Sequence, residues 1–266
     1  MQKKQTTQII LKTDKNQKLN IAMVGYHNTL PFLYGLEKAK DKYNLILDVP
    51  SKCMNYFVNG EADVALVPVA SLLESEDCQV ITDFCIGCSG AVGTVCLYAH
   101  QSVETLDTIW LDSDSRTSQL LLKILCEHHW GIDVIFKEVD ARSIKTGDLP
   151  NNTGLLMIGD KAFGAKSDYT YSYDLGIEWQ LMTSLSFAFA VWIAKPYVSE
   201  EVISELNKDL SLGVDNIELV LEAQKELSKS INLRAYFEEY IDYAYNEDKK
   251  RAFEVYRELS SKLVQV

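Results

Sequence analysis

The chain has 266 residues, of which 47% are hydrophobic, and it carries 26 basic against 38 acidic side chains, for a net charge of −12 at pH 7. A chain of this size and apolar content can bury a substantial core, in one large domain or two of ordinary size. The negative charge argues against nucleic acid or an anionic membrane surface as a partner, because both would be repelled. A small anion can still bind in a locally positive cleft.

The N-terminal segment, MQKKQTTQIILKTDKNQ, contains lysines but no continuous apolar stretch and no small-residue cleavage site. We therefore expect no secretory signal and a cytoplasmic location. The longest apolar run, LSFAFAVWIA at residues 185–194, is shorter than the roughly 20 residues that a membrane span needs. We expect no membrane partner.

The cysteines are expected to be reduced, because the chain is large and predicted to be cytoplasmic. They are Cys53, Cys78, Cys85, Cys88, Cys96 and Cys126. Cys85 and Cys88 form a C-x-x-C, but no second pair at zinc-ribbon spacing follows, so strand and turn are favoured over a metal site. His128 and His129 end a predicted helix, where a cation suits the helix dipole, and we predict a structural or surface role for both.

From residue 18 the sequence alternates short apolar strands with amphipathic helices, in the order KLNIAMVGY, PFLYGLEKAK, YNLILDV, SKCMNYFVNGE, ADVALVPV and ASLLES. Such alternation is typical of a largely parallel sheet covered by helices. A second series follows, with DTIWLDS, a helix from Thr117 to about His129, DVIFKEV, GLLMIGD with its following helix, and YSYDL. Two extended apolar segments, residues 91–99 and 186–194, flank this series and are predicted to be hinge strands. After Lys195-Pro196 the apolar spacing is helical to the end of the chain.

The predicted fold is therefore α/β with two domains. One is discontinuous, residues 1–98 plus 196–266, and includes the C-terminal helices; the other is an inserted α/β domain of residues 99–195. Open α/β sheets bind ligands at the carboxyl ends of their strands, and clefts between domains are preferred sites for small molecules. We expect the functional site in such a cleft.

One segment, IWLDSDSRTSQLLLKIL at residues 109–125, runs from an apolar strand through hydroxyl-bearing residues into an amphipathic helix. The N–H groups of a first helical turn are unpaired and partly positive, so they can bind an anion. Ser115, Thr117 and Ser118 add hydroxyls, and Arg116 adds a forked cation. The alternative is that Ser115 is only an N-cap, with Arg116 exposed on the first turn.

Two other strand-to-helix turns point at the same cleft. In VGYHNTLPFLYGL, Asn28 and Thr29 lie in the turn, and Asn28 either caps the helix, which is favoured, or binds a ligand. In MIGDKAFG, Gly159 permits close approach of the backbone, and Asp160 either caps the helix, again favoured, or holds a substrate hydroxyl.

A further candidate is CSGAVGTVCL, where Ser89, Gly90 and Thr94 lead into the first predicted hinge strand. Small residues with hydroxyls leave room for a ligand, although a tight turn with a β-bulge explains the glycines equally well. The motifs GxGxxG, GxxxxGK[ST], HExxH and GxSxG are absent from the sequence. Nothing therefore indicates a nucleotide site, a zinc protease or a serine hydrolase.

Seven segments together make the chain resemble the chorismate dehydratase family of the futalosine route to menaquinone, from about Ile21 to the C-terminal helices. They are GYHNTLPFLYGL, GEADVALVPVASLLE, DFCIGCSGAVGTVCLYA, DSRTSQLLLKIL, LMIGDKAF, YDLGIEWQLMTSLSFAFAVWIAK and AFEVYRELSSKL. The resemblance implies a type II periplasmic-binding-protein-like fold. It also implies the loss of water from chorismate, a dicarboxylate, to give 3-[(1-carboxyvinyl)oxy]benzoate, with no metal or organic cofactor.

The resemblance and the cleft-facing turns together assign the candidate residues. Asn28 and Thr94 are the catalytic pair, facing the reacting ring. The substrate-binding residues are Thr29, Ser89, Gly90, Ser115, Arg116, Thr117, Ser118, Gly159 and Asp160. A carboxylate clamp at a helix N-terminus would stabilise the charge that forms when the ring proton leaves. No obvious protein base is among these residues, so we expect the enolpyruvyl carboxylate of the substrate to take the proton.

The sequence departs from the family pattern at two places. Thr94 stands where relatives commonly have Ser, which keeps the hydroxyl on a stiffer side chain, and Leu185-Ser186-Phe187 stands where relatives often have Leu-Pro-Phe. Two other functions remain open. One is a cytosolic small-anion-binding protein of this fold without catalysis. The other is the later dihydroxynaphthoate synthase, which typically begins with a Ser-Pro-Cys-Pro-Asn-Asp-like turn that is not present here.

Overall fold

The computed structural model describes residues 18–74 and 78–263, so the N-terminal segment considered as a signal lies outside the described residues. The strands are β1 (Leu19–Val24), β2 (Tyr43–Asp48), β3 (Val64–Pro68), β4 (Val80–Cys88), β5 (Val95–Ala99), β6 (Thr108–Asp112), β7 (Ile135–Val139), β8 (Thr153–Ile158), β9 (Tyr171–Asp174), β10 (Phe187–Ala194) and β11 (Asp242–Ala244). The helices are α1 (Leu30–Lys38), α2 (Pro50–Val58), α3 (Arg116–Leu125), α4 (Leu175–Thr183), α5 (Glu200–Val214), α6 (Ile217–Ala223), α7 (Leu233–Ala235) and α8 (Glu247–Leu263).

The first sheet has six strands in the order β11-β4-β10-β3-β1-β2. Its β1, β2 and β3 are parallel, as the alternation of strands and helices predicted, and β10 runs antiparallel between β3 and β4. Helix α1 packs very closely against α5, because a Cβ on Gly35 would lie only 1.8 Å from the carbonyl oxygen of Asp209. A side chain at Gly35 would force these two helices apart.

The second sheet has five strands in the order β7-β6-β8-β5-β9. Its β6, β7 and β8 are parallel, and β5 is antiparallel to both of its neighbours. Helix α3 buries Leu121, Leu122, Ile124 and Leu125, so the predicted amphipathic helix is confirmed. It continues as a π-helical turn to Trp130 and ends in Gly131 at φ +64°.

The chain passes between the sheets twice, once between β4 and β5 and again between β9 and β10. Each of the two apolar segments predicted as hinge strands begins at one of these passages. Residues 95–99 then lie wholly in the second sheet, and residues 187–194 wholly in the first. The predicted domain boundary after residue 195 therefore lies after β10. In the structure the chain has already returned to the first sheet before β10, because β10 belongs to that sheet.

A polar group, here called the hinge cluster, ties the two passages together. Ser89 in the first passage donates to Asp242 at 2.7 Å and lies 3.0 Å from the hydroxyl of Ser186, just before β10. Asp242 in turn pairs with Lys249 of α8 at 2.5 Å, and the Lys249 side chain is completely buried. Burial raises the pKa of Asp242, but the hydrogen bond and charge of Lys249, with hydrogen bonds from Ser89 and the Ala244 N–H, together outweigh burial and hold that pKa below its usual value.

The C-terminal part is helical except at β11, which corrects the prediction of continuous helix. Residues 242–244 form an edge strand that pairs with β4. The alternate residues Ile241 and Tyr243 are buried, a two-residue period that suits a strand, and the free edge of β4 supplies backbone partners for it.

Two smaller predictions concern the cysteines and the histidines at the end of α3. All six cysteines are free, and His129 has a structural contact, with Nε2 2.9 Å from Glu178 Oε2. Within the described ranges, no helix is both long enough and apolar enough to cross a membrane.

Candidate active site

A cavity of about 60 Å³ lies between the two sheets and is lined by residues from both. Val24, Pro68 and Ile158 in its wall are at the carboxyl ends of β1, β3 and β8, the ends at which ligand binding was expected. Six predicted site residues line it, namely Asn28, Thr94, Ser115, Thr117, Ser118 and Gly159. The other five predicted residues lie outside this wall.

The turn from β6 into α3 has the geometry of an anion site. Ser115 is the N-cap, and its hydroxyl accepts from the backbone N–H of Ser118 at 3.1 Å. In the part of the chain that the structure describes, the backbone N–H groups of Arg116 and Thr117 have no hydrogen-bond acceptor. Two free donors therefore lie at the positive end of a ten-residue helix, and Thr117, Ser115 and Ser118 of this turn border the cavity.

Two acids near this turn are neutralised by cations that the sequence reasoning missed. Lys161 lies 2.6 Å from the buried Asp112 and 2.9 Å from Asp114, and Arg142 also pairs with Asp114. Burial raises the pKa of Asp112, and Lys161 opposes that shift. Because two cations face two carboxylates, these acids leave no net negative charge to repel a bound anion.

Arg116 does not line the cavity, which does not support a role for its side chain as a carboxylate ligand. Its guanidinium lies 3.1 Å from Glu74, and the side chains of Arg116 and Glu74 are 53% and 67% exposed. Successive residues of a helix are about 100° apart, so a residue beside Ser115 projects in a different direction. The alternative of a capping Ser115 with an exposed Arg116 describes these two side chains correctly, although Ser115 also borders the cavity.

Thr29 and Asn28, adjacent in the first turn, have different roles. The buried Thr29 hydroxyl lies 2.8 Å from the carbonyl oxygens of both Val24 and Tyr26, and so holds the turn together. Asn28 makes no side-chain cap to α1, so the favoured capping interpretation was wrong. Its Oδ1 is buried and has no partner among the described residues.

Thr94 is buried in the cavity wall, and its Oγ1 is 2.7 Å from the hydroxyl of Tyr236. Tyr236 is itself buried and packs edge-on against Phe163, with ring centroids 4.8 Å apart. The sequence reasoning missed Tyr236 because it lies in the C-terminal helical part, 142 residues from Thr94. No local motif signals this pairing.

Ser89 and Gly90 lie outside the cavity wall, which does not support their assignment to substrate. Ser89 belongs to the hinge cluster. Gly90 adopts φ +111°, and its carbonyl would lie 2.4 Å from a Cβ placed on Gly176 of α4. Tertiary packing therefore accounts for both residues.

Gly159 and Asp160 join the two halves of the molecule. Gly159 has φ +64°, and a Cβ there would lie 2.7 Å from the Tyr26 ring, so glycine is needed for the approach of that ring. Asp160 lies outside the wall and accepts from the His27 backbone N–H at 2.9 Å, and burial raises its pKa. Asp160 does not cap the turn that follows β8, so the favoured capping interpretation is wrong, and the substrate-hydroxyl alternative stays a prediction.

Solved structures of similar fold cover nearly the whole chain. Protein AF1704 from Archaeoglobus fulgidus matches with a TM-score of 0.73 and 16% identity, over 94% of this chain and 98% of that protein. The Candida albicans CA3427 gene product, described as having the generic periplasmic binding protein fold, matches with a TM-score of 0.62 and 13% identity, over 93% and 90% of the two chains. The periplasmic aliphatic sulphonate binding protein SsuA from Escherichia coli matches with a TM-score of 0.62 and 15% identity, over 94% of both chains.

At these identities the solved structures confirm the predicted periplasmic-binding-protein-like fold and say nothing more about function. The family is shown by sequence. A family model described as menaquinone biosynthesis matches residues 19–262, which include every residue that lines the cavity. The chain belongs to this menaquinone biosynthesis family.

Proposed function

We propose that the protein is a chorismate dehydratase that acts in the cytoplasm and converts chorismate to 3-[(1-carboxyvinyl)oxy]benzoate for menaquinone synthesis. The observation that carries this proposal is the composition of one cavity wall. The open N-terminus of α3 and the pair Asn28 and Thr94 both border the same cavity between the sheets. A substrate with a carboxylate and a hydroxyl on one ring can use both.

The α3 N-terminus would bind the ring carboxylate. The N–H groups of Arg116 and Thr117 are free to donate, and the hydroxyl of Ser118 borders the cavity beside them. When the ring proton leaves, negative charge spreads through the diene toward this carboxylate. Donors fixed in advance around it stabilise the transition state more than the ground state.

Asn28 and Thr94 would contact the hydroxyl that leaves as water. A buried carbonyl oxygen without a partner, such as Asn28 Oδ1, costs about 1–3 kcal/mol, which a donor on the substrate would recover. The Thr94 hydroxyl can hydrogen-bond to the departing oxygen and weaken its bond to carbon.

The cavity wall favours a base supplied by the substrate. Among the described residues that line the cavity, only Tyr26 has a titratable side chain. Burial and the charges of Asp114 and Asp112 raise its pKa, so Tyr26 remains a neutral phenol. We therefore propose that the enolpyruvyl carboxylate takes the ring proton while the protein holds the reacting groups in place.

Contacts between the two halves link the walls of the cavity. His27 binds Asp160, and the Tyr26 hydroxyl lies 3.4 Å from Asp114. We propose that these contacts open for substrate entry, as two domains, each built on one sheet, move apart at the two passages.

Simple anion binding is the second candidate function, favoured by the helix N-terminus alone. Such a protein would use α3 as described but would not transform its ligand. Sulphonate binding is named for one protein of this fold, and a sulphonate could occupy the same donors.

The test is to incubate chelator-treated protein with chorismate and to follow the product by chromatography and mass. We expect a product lighter by one water without added cofactor. Binding of chorismate without turnover would contradict the dehydratase proposal and support the anion-binding alternative. If chorismate does not bind, both proposals fail for this ligand, and turnover of the later pathway substrate would identify the synthase.

A further inference from the structure

Tyr236 is placed behind Thr94 rather than in the cavity wall. It begins a π-helical turn, Tyr236–Tyr240, that follows α7, and such turns occur frequently at functional sites. The side chain of Tyr236 is 3% exposed, and its hydroxyl is 2.7 Å from Thr94 Oγ1. Phe163 packs edge-on against the ring and holds it in position.

The protonation state of Tyr236 is set by its surroundings. Burial raises its pKa well above the ordinary value, while hydrogen bonding by Thr94 and Asn28 lowers the pKa only in part. The phenol therefore keeps its proton at neutral pH. It has one hydrogen to donate, and its oxygen can also accept a hydrogen bond.

This inventory favours one direction for the hydrogen bond between Tyr236 and Thr94. Hydrogen bonding by Asn28 lowers the pKa of Tyr236, and Asn28 Oδ1 has no partner among the described residues. An amide donor on the phenol oxygen would direct the phenol proton toward Thr94 Oγ1, 2.7 Å away. Thr94 then accepts from Tyr236 and has its own proton free for a group in the cavity. In the opposite direction Thr94 would donate its hydrogen bond to Tyr236, and its hydroxyl could then only accept a hydrogen bond from a ligand.

We propose that Tyr236 is a positioning residue that donates to Thr94 and so aims the Thr94 hydroxyl proton at the leaving oxygen of the substrate. This inference rests on the proposed dehydratase function. During the reaction a ring C–H bond and the C–O bond break, and a ring double bond forms. The departing hydroxide and the abstracted proton combine as water. Thr94 and Tyr236 both hold their own protons at the end of each turnover.

The test is the variant Tyr236→Phe, assayed with chorismate beside the wild type. Loss of positioned acid assistance lowers rates about 100-fold or more, so we expect kcat to fall by about 100-fold with KM little changed. The matched control is Tyr98→Phe, which removes a hydroxyl from another buried tyrosine, one that donates to the Ala162 carbonyl at 3.3 Å. We expect Tyr98→Phe to keep the wild-type kcat.

A double variant separates positioning from general loss of structure. In a Thr94→Val background, Tyr236→Phe should lower kcat no further, because the hydroxyl that Tyr236 aims is already gone. An unchanged kcat in Tyr236→Phe, or equal losses in Tyr236→Phe and Tyr98→Phe, would overturn the inference while leaving the dehydratase function intact. No turnover by the wild type would overturn the proposed function itself.

Discussion

The turn from β6 into α3 and the passage from β4 to β5 both carry hydroxyls and small side chains, yet the fold uses them differently. In the turn, three of the four predicted residues line the cavity, and Arg116 alone points away. In the passage only Thr94 of the three predicted residues lines it, while Ser89 belongs to the hinge cluster.

The difference lies in the range of the interactions that place each side chain. In the turn, a local cap fixes the helix start, as Ser115 accepts from the N–H three residues on. In the passage, the partners of Ser89 and Thr94 are Asp242 and Tyr236, each more than 140 residues away. Local geometry can be read from a short segment, whereas such distant pairings cannot.

The largest expected effect in this comparison is a loss of stability in the Asp242→Ala variant, which disrupts the hinge cluster. The change leaves the Lys249 ammonium buried without its carboxylate, and removing one partner of a buried pair costs about 3–5 kcal/mol. Urea unfolding at pH 7 measures this loss in the free energy of unfolding. The control is Glu254→Ala, which removes an exposed carboxylate paired with Arg257 and should cost at most about 1 kcal/mol. Equal losses in the two variants would contradict a stabilising role for the hinge cluster.

The pair of Asp242 and Lys249 also predicts how the free energy of unfolding depends on pH. Because the pKa of Asp242 is lowered below 3.8 in the folded protein, its stabilisation is complete above that pH and is lost as pH falls through the lower folded-state pKa. The difference in unfolding free energy between wild type and Asp242→Ala should therefore shrink only below pH 3.8. A difference that already shrinks between pH 6 and 5 would show that another group is responsible.

Within the passage, Thr94→Val should reduce turnover by about 100- to 1,000-fold, because it removes a positioned donor at nearly constant volume. Thr94→Ser should retain most of the rate, since the hydroxyl remains. Ser89→Ala should keep the wild-type rate, because Ser89 faces Asp242 and not the cavity. A large kcat loss in Ser89→Ala with the fold intact would show that Ser89 takes part in the active site.

Within the turn, the expected effects are on affinity. Ser118→Ala removes a hydroxyl but keeps the N–H that Ser115 caps, so chorismate binding should weaken by about tenfold, the worth of one hydrogen bond. Arg116→Ala should change affinity by about twofold or less, because exposed ion pairs contribute little. Calorimetric titration measures both. The reverse order of effects would restore the carboxylate role that the sequence suggested for Arg116.

The sequence predicted the class of fold well because periodicity reports it directly. Alternating strands and helices indicated two α/β series, and a match over residues 19–262 agrees with the resemblance. The strand β11 was missed because its partner, β4, is remote in the chain and the surrounding residues have a helical pattern.

At Ser186, where relatives often have proline, tertiary contacts give a reason for the departure from the family pattern. Its backbone N–H donates to Asp248 at 2.8 Å, and its hydroxyl lies beside Ser89. A proline at this position would have neither a backbone N–H nor a hydroxyl, so it could make neither contact. The sequence alone could show the substitution but not these partners.

The most direct measurement is a crystal structure of the Thr94→Val variant with chorismate, since slow turnover allows the substrate to be observed. We expect the ring carboxylate to lie within hydrogen-bonding distance of the backbone N–H groups of Arg116 and Thr117, with the substrate hydroxyl toward Asn28. Chorismate bound with neither carboxylate at the α3 N-terminus, or bound outside the cavity between the sheets, would contradict this site.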